Sequence, residues 1–387
     1  MTCPSTALRS RAWVEVDLDA LCRNALQVQR AAGPDVRLVP MVKADAYGLG
    51  MERVAAALAQ ALPEGALFAF GVAAVAEGER LRGSGWTGRI LVFSPSPPSE
   101  YDRAADADLT LCLSDIDAVE LWAEAGTRAG RQLGFHTEVD TGIGRAGFAW
   151  HQAALWGAEV MRRAAGRLRW EGCFTHFHSA DEPDLRPTEL QCERFEQALA
   201  GLPAEPAGEP RRLIHTANSA GALRVRGRRW DLVRPGIFLY GGTAGAELQP
   251  EPVVSVRARV VLVREVPPGT TVGYGATYVA GGLERWGTLA IGYGDGLRRA
   301  LAPAGGSALL LGRRVPLVGR ISMDVSVADL TGLPEVGVGE VATLIGNDGA
   351  EEITLDEVAA RCGTISYEVL TGLTARLPRL YSPAEAT

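Results

Sequence analysis

"VPMVKADAYGLG", Val39 to Gly50, puts a lysine at the point where an apolar run ends. Desolvating an ammonium group without a partner is costly, so Lys43 should end a buried strand facing something that uses an amine. The run is the first of eight. Between about residues 36 and 240, short β-branched or aromatic runs alternate with Ala/Leu/Glu/Arg-rich stretches of helical spacing. The runs are "VRLVPMVK", "ALFAFGV", "RILVFS", "LTLCLS", "LGFHTEVD", "LRWEGCFTHFH", "RRLIHTAN" and "WDLVRPGIFLY". Candidate helices such as "MERVAAALAQAL" and "DIDAVELWAEAGTRAG" lie between them. Eight βα repeats in about 210 residues is the count of an α/β, (β/α)8 TIM-type barrel. A doubly wound sheet is the competing reading, but no GxGxxG turn follows the first strand to support it.

Beyond about residue 250 the texture changes. "VVSVRARVVLVREVPPGTTVGYGATYVA" and "ALLLGRRVPLVGRISMDVSVADL" read as strands joined by Pro/Gly turns, with few helix formers. The expected layout is a barrel over residues 1–250, followed by a mainly β C-terminal domain over 251–387. A chain of 387 residues is in any case long for one core. At the start, "AWVEVDLDALCRNA" reads as a strand followed by an acid-capped helix, the strand expected to join the β domain.

Composition narrows the partners. The net charge of −7 and a pI near 5.5 argue against nucleic acid and against an anionic membrane surface. No window approaches the roughly 20 apolar residues of a bilayer span, and the N-terminus lacks the apolar core of a secretory signal. The six cysteines are scattered without a C-x-x-C pair. That suits reduced thiols in a cytoplasmic enzyme better than a disulfide framework or a zinc site.

In such a barrel the working residues lie at the C-terminal ends of the strands, and phosphate is commonly held after strands seven and eight. Lys43 ends strand one. Arg145 lies in "EVDTGIGRAGF" after strand five, and His176 in "FTHFHSAD" on strand six. Ser219 lies in "HTANSAG" after strand seven, and Arg234 to Ile237, "RPGI", belong to strand eight. Ser219 with the backbone N–H groups of Gly236 and Ile237 would make an anion cradle. A lysine facing that cradle suggests a Schiff base to pyridoxal 5'-phosphate. His176 and His178 share a strand face and could begin a metal site, but no Cys or carboxylate cluster completes it, so no metal is expected. Tyr274 and Tyr293, taken alone, read as ordinary sheet aromatics.

Nine pieces stand in order: "VKADAYGLG", "VDTGIGRAGF", "THFHSADEPD", "HTANSAG", "VRPGIFLYG", "VGYGATY", "IGYGDG", "GRISMD" and "TISYEVLTGLTARLPR". Together they closely resemble the alanine racemase family along almost the whole chain. The resemblance implies a homodimer with shared active sites that interconverts L- and D-alanine by a two-base mechanism on pyridoxal phosphate. It assigns one base to Lys43 and the other to Tyr274 of the partner subunit. It places Arg234 at the cofactor's ring nitrogen, with His176 behind it. It gives Tyr47, Ser219, Gly236, Ile237 and Tyr367 to the phosphate. Arg145, and Met323 of the partner subunit, correspond to the substrate-carboxylate and cofactor-orienting contacts. A racemase of the same type acting on serine or on a broader set of amino acids is the alternative. Arginine rather than an acid in "VRPG" speaks against a decarboxylase. The chain also departs from the family. Leu49 replaces a usual histidine in "AYGLG", His178 replaces a small residue, and Glu138 stands where many members carry a carbamylated lysine.

Overall fold

Asp17 ends one element and starts the next. The computed structural model describes residues 10–225, 228 and 230–382; Cys3 and the outermost residues of both ends lie outside them. Strand β1 (Ala12–Asp17) runs into helix α1 (Leu18–Ala32), and the Asp17 carboxylate accepts the Ala20 N–H at 2.8 Å. That is the acid cap read from the sequence. Leu18, Leu21, Ala25 and Val28 face inward at helical spacing, and the helix stops at Gly33, with φ 111°.

Among the described residues eight parallel strands form the barrel wall: β2 (Arg37–Leu38), β3 (Ala69–Val72), β4 (Arg89–Val92), β5 (Thr110–Leu113), β6 (Leu133–Asp140), β7 (Leu168–Phe174), β8 (Leu213–His215) and β9 (Leu232–Val233), and the two-residue strand Phe148–Ala149 pairs in parallel with the end of β6. Each wall strand falls inside one of the eight apolar runs. Strands β3 to β8 pair in sequence order, and β9 pairs β2 with Val233 opposite Leu38. The ring closes through single bridges from Leu38 to Leu67 and Met41 to Gly71, and through N–H donation from Asp231 to Ile214 and from Arg234 to Ala217. Strand β2 is shorter than its apolar run because Pro40 carries no N–H for the ladder. Val39 and Met41 still donate to the carbonyls of Val233 and Pro235, at 2.8 and 2.9 Å, so the wall continues irregularly.

Strand β10 (Val254–Val266) has 13 residues and alternates buried and exposed positions through its first half. It pairs antiparallel with β1, whose other edge pairs in parallel with the last strand, Arg379–Ser382. The N-terminal strand thus lies inside the C-terminal, nine-stranded sheet. The last strand also reaches the barrel: Arg379 Nε donates to the Gly48 carbonyl at 3.0 Å, and the Tyr381 hydroxyl to Leu49 O at 2.9 Å. Both anchors fall on the loop that follows Lys43. No helix among the described residues is long and apolar enough to cross a membrane.

Candidate active site

After Lys43 the backbone turns the wrong way for L-residues. Ala44, Asp45, Ala46 and Tyr47 all have φ between 52 and 58°, a left-handed helical turn that costs about 1–2 kcal/mol per residue. The surroundings hold it. The Ala44 N–H donates to Glu77 Oε1 at 2.6 Å, the Ala46 N–H to Val42 O at 2.8 Å and the Met51 N–H to Asp45 Oδ1 at 3.0 Å. Together with the Arg379 and Tyr381 anchors, these contacts put the Lys43 amine and the Tyr47 ring on the same cavity.

That cavity is lined by Lys43, Tyr47, Glu138, Arg145, His176, Ser219, Arg234, Gly236 and Tyr367, together with Met41, Phe93, Phe174 and Asn218. Ser219 opens a short helix capped by Asn218, whose side chain accepts the Gly221 N–H at 2.9 Å. The Ser219 hydroxyl accepts the Gly236 N–H at 2.8 Å. Ile237 begins a single 3-10 turn beside it and is buried. The Tyr47 ring packs against Tyr240 at 4.7 Å and Tyr367 at 5.8 Å. Burial raises the pKa of both cavity tyrosines, Tyr47 and Tyr367, so they are neutral donors. Hydroxyls and backbone N–H groups without a carboxylate suit a phosphate monoester.

Three cations converge on the other walls. Burial lowers the Lys43 pKa, and Arg145 and Arg234 lower it further; an amine so placed is readily neutral. Arg145 comes from the loop after β6, where the Asp140 carboxylate accepts the N–H groups of Gly142 and Gly144 at 2.9 and 3.1 Å. Arg234 is buried, and its Nη2 donates to the carbonyls of Thr175 and Thr216 and to His176 Nδ1 at 3.2 Å. Glu138 is 3 % exposed and faces the same space. Burial raises its pKa while Arg145 and Arg234 lower it. Among the described residues no ion pair within 4.0 Å joins Glu138 to Arg145.

Of the residues singled out in the sequence, Tyr274 and Met323 do not line this cavity. They are 66 % and 51 % exposed, on the C-terminal domain. His178 turns away and meets Ser179 Oγ at 2.6 Å, and among the described residues no group of three ligands could hold a metal ion. Two functional neighbours escaped the sequence reading. His215 and His136 sit fully buried behind Arg234. Their one signal was a histidine at an inward position of an apolar strand.

The family models for the alanine racemase N-terminal and C-terminal domains match residues 16–244 and 253–381. The alanine racemase of Desulfosudis oleivorans is 38% identical over 383 residues, covering 96% of each chain. Alanine racemase from Bacillus anthracis with bound L-Ala-P superposes with a TM-score of 0.85 at 34% identity, covering 96% of this chain and 95% of that one. The enzyme from Bartonella henselae with covalently bound pyridoxal phosphate gives 0.86 at 27% identity, covering 96% and 99%. The chain belongs to the alanine racemase family.

Proposed function

We propose that the chain holds pyridoxal 5'-phosphate in the Lys43 cavity and interconverts L- and D-alanine as a homodimer whose subunits complete each other's sites. The observation that carries this reading is Lys43 itself. It is an amine biased towards neutrality by burial and two arginines, across a cavity from the uncharged donors Tyr47, Ser219, Gly236 and Tyr367. These residues fit the cofactor: Lys43 for its aldehyde carbon, the donors with the Ile237 N–H for its phosphate, and Arg234 backed by His176 for its ring nitrogen. When bound, the cofactor supplies a conjugated ring that withdraws the electron pair left when the substrate Cα–H ionises.

The chain's residues do the rest. Lys43 Nζ takes or returns the proton on one face of Cα. Exchange of enantiomers needs a second base on the opposite face. The hydroxyl of Tyr274 of the partner subunit fills that role. Arg145 binds the substrate carboxylate through a charge-assisted bond, and Met323 of the partner subunit closes the site beside it. Arg234 lacks a proton to give, since guanidinium stays charged in proteins. Placed at the cofactor's ring nitrogen, Arg234 would leave that nitrogen unprotonated, which would disfavour transamination and favour return of the proton to Cα. The exposure of Tyr274, Tyr293 and Met323, large side chains outside their own chain's cavity, supports the shared arrangement. The free thiols Cys22, Cys112, Cys173, Cys192 and Cys362 fit a reducing compartment and support a cytoplasmic setting.

Incubating the cofactor-loaded protein with L-alanine, and separately with L-serine, and resolving the enantiomers tests the reading. D-alanine should accumulate to near equality with L-alanine, faster than D-serine forms. No D-alanine from active-site-loaded protein would refute it.

A further inference from the structure

Behind Arg234, away from the cavity, runs a second set of contacts. Arg234 Nη1 donates to His215 Nδ1 at 2.8 Å, and His215 Nε2 lies 2.8 Å from His136 Nδ1. Both imidazoles are fully buried. Phe174 stacks on His215 with ring centroids 4.8 Å apart and planes 14° apart. Gly172 leaves the room for His136, since a Cβ there would fall 2.3 Å from its Nδ1.

The direction of this chain is fixed by one end. A guanidinium has donors and no acceptor, so His215 Nδ1 carries a lone pair and its proton sits on Nε2. His136 Nδ1 must then accept, which puts the His136 proton on its own Nε2, a buried atom with no hydrogen-bond partner. Neither ring can take a second proton without placing two donors face to face. Burial agrees, as it pushes His136 down to about 3 and His215 well below the ordinary histidine value, with Arg234 adding to both.

A buried cation is usually matched by a carboxylate. Arg234 instead has neutral acceptors on both Nη groups: two carbonyls, His176 and His215. A directly bonded carboxylate would hold the guanidinium plane equally well but would cancel much of its field. An imidazole holds the plane and leaves the charge. A second imidazole in series polarises the first, and the unpartnered N–H is placed as far from the site as the chain reaches. We propose that His215 and His136 are positioning residues for the reaction: a one-way pair of neutral imidazoles that fixes the Arg234 plane at the cofactor's ring nitrogen and adds no opposing charge to that of Glu138 across the cavity. This rests on the reading that Arg234 meets that nitrogen.

The test uses the holoenzyme with 15N-labelled histidine and cofactor labelled at the ring nitrogen. Both imidazoles should show the Nε2–H neutral form, unchanged between about pH 6 and 9, and the ring nitrogen should be unprotonated. His215→Phe keeps the stack on Phe174 but removes the acceptor. It should lower kcat about tenfold with KM for alanine within about threefold, and move the ring-nitrogen signal towards the protonated form. His215→Asn, whose Oδ1 can stand in for Nδ1, should recover most of the loss. An imidazolium at either position in the wild-type enzyme, or an unchanged kcat and ring signal in His215→Phe, would overturn the inference. Should His215→Phe fail to fold, the wild-type imidazole signals and the Asn variant still decide it. A ring nitrogen already protonated in the wild-type enzyme would instead refute the placement of Arg234, which the imidazole signals do not depend on.

Discussion

A Cβ built on Gly236 would lie 2.3 Å from the Tyr47 hydroxyl. The two ends of the proposed phosphate cradle, strand-one loop and strand-eight loop, therefore approach as closely as they do only because position 236 has no side chain. Gly236→Ala should push Tyr47 out of the cradle and weaken pyridoxal-phosphate binding by at least about tenfold. Titration of apoenzyme with the cofactor, followed by absorbance, measures it. Unchanged affinity would mean that the cofactor's phosphate lies elsewhere.

The proposed sharing of sites between subunits can be tested through Tyr274, which is exposed on its own chain. Lys43→Ala and Tyr274→Phe should each be inactive alone. In the shared-site arrangement, a mixed dimer of the two has one intact site. Equal mixing with full subunit exchange should thus restore about a quarter of wild-type activity, half the dimers being mixed and each of those having one working site of two. A mixture that stays inactive after exchange has been verified by mass would rule out sites shared in this way.

Glu138 stands where the family resemblance implies a carbamylated lysine, and it lines the same cavity as Arg145 without an ion pair to it; the proposed role of its carboxylate is to orient Arg145 without added carbon dioxide. Activity should survive rigorous removal of bicarbonate, and the intact mass should show no carbamate. Glu138→Gln keeps the shape and removes the charge, and should raise KM for alanine about threefold to tenfold by loosening Arg145. Its stability should move the other way. The folded-state pKa of Glu138 is raised, so the folded chain holds the proton longer than the unfolded one and loses stability as pH rises through that interval. Glutamine removes this penalty, so the variant should melt no lower than the parent at pH 8. A bicarbonate requirement, or wild-type KM in the variant, would show that the carboxylate does not serve Arg145.

The buried histidines set the acid limit of the fold. His136, His176 and His215 are all depressed in the folded state, His136 to about 3. The unfolded chain binds their protons first, near the ordinary value of about 6.5. Stability is therefore whole above that value and falls as pH drops below it, by about 1.4 kcal/mol per pH unit for each histidine kept neutral. Urea unfolding at a series of pH values between 7 and 5 should show this slope. His136→Phe should remove roughly one proton's share of it, and an equal slope in that variant would place the acid sensitivity elsewhere.

What the sequence alone determined is whatever is settled within a few residues. The eight apolar runs, the Asp17 cap, the alternation of Val254–Val266 and the switch in texture near residue 250 all follow from local pattern, because a strand or helix face is written in the spacing of its own side chains. Lys43, Arg145, Ser219, Arg234 and Gly236 were legible for a related reason: they stand at strand ends, and a barrel gathers its strand ends at one rim. Three features were decided only by the tertiary structure. The turn from Ala44 to Tyr47 runs against the preference of every residue in it, and persists because residues distant in sequence hold it: Glu77 accepts the Ala44 N–H, and Arg379 and Tyr381 hold the carbonyls of Gly48 and Leu49 just beyond it. His136 and His215 are 79 residues apart and meet because β6, β7 and β8 are neighbours and their inward side chains share the barrel axis. Which atom of each imidazole carries the proton is set by Arg234, a residue that neither local sequence contains.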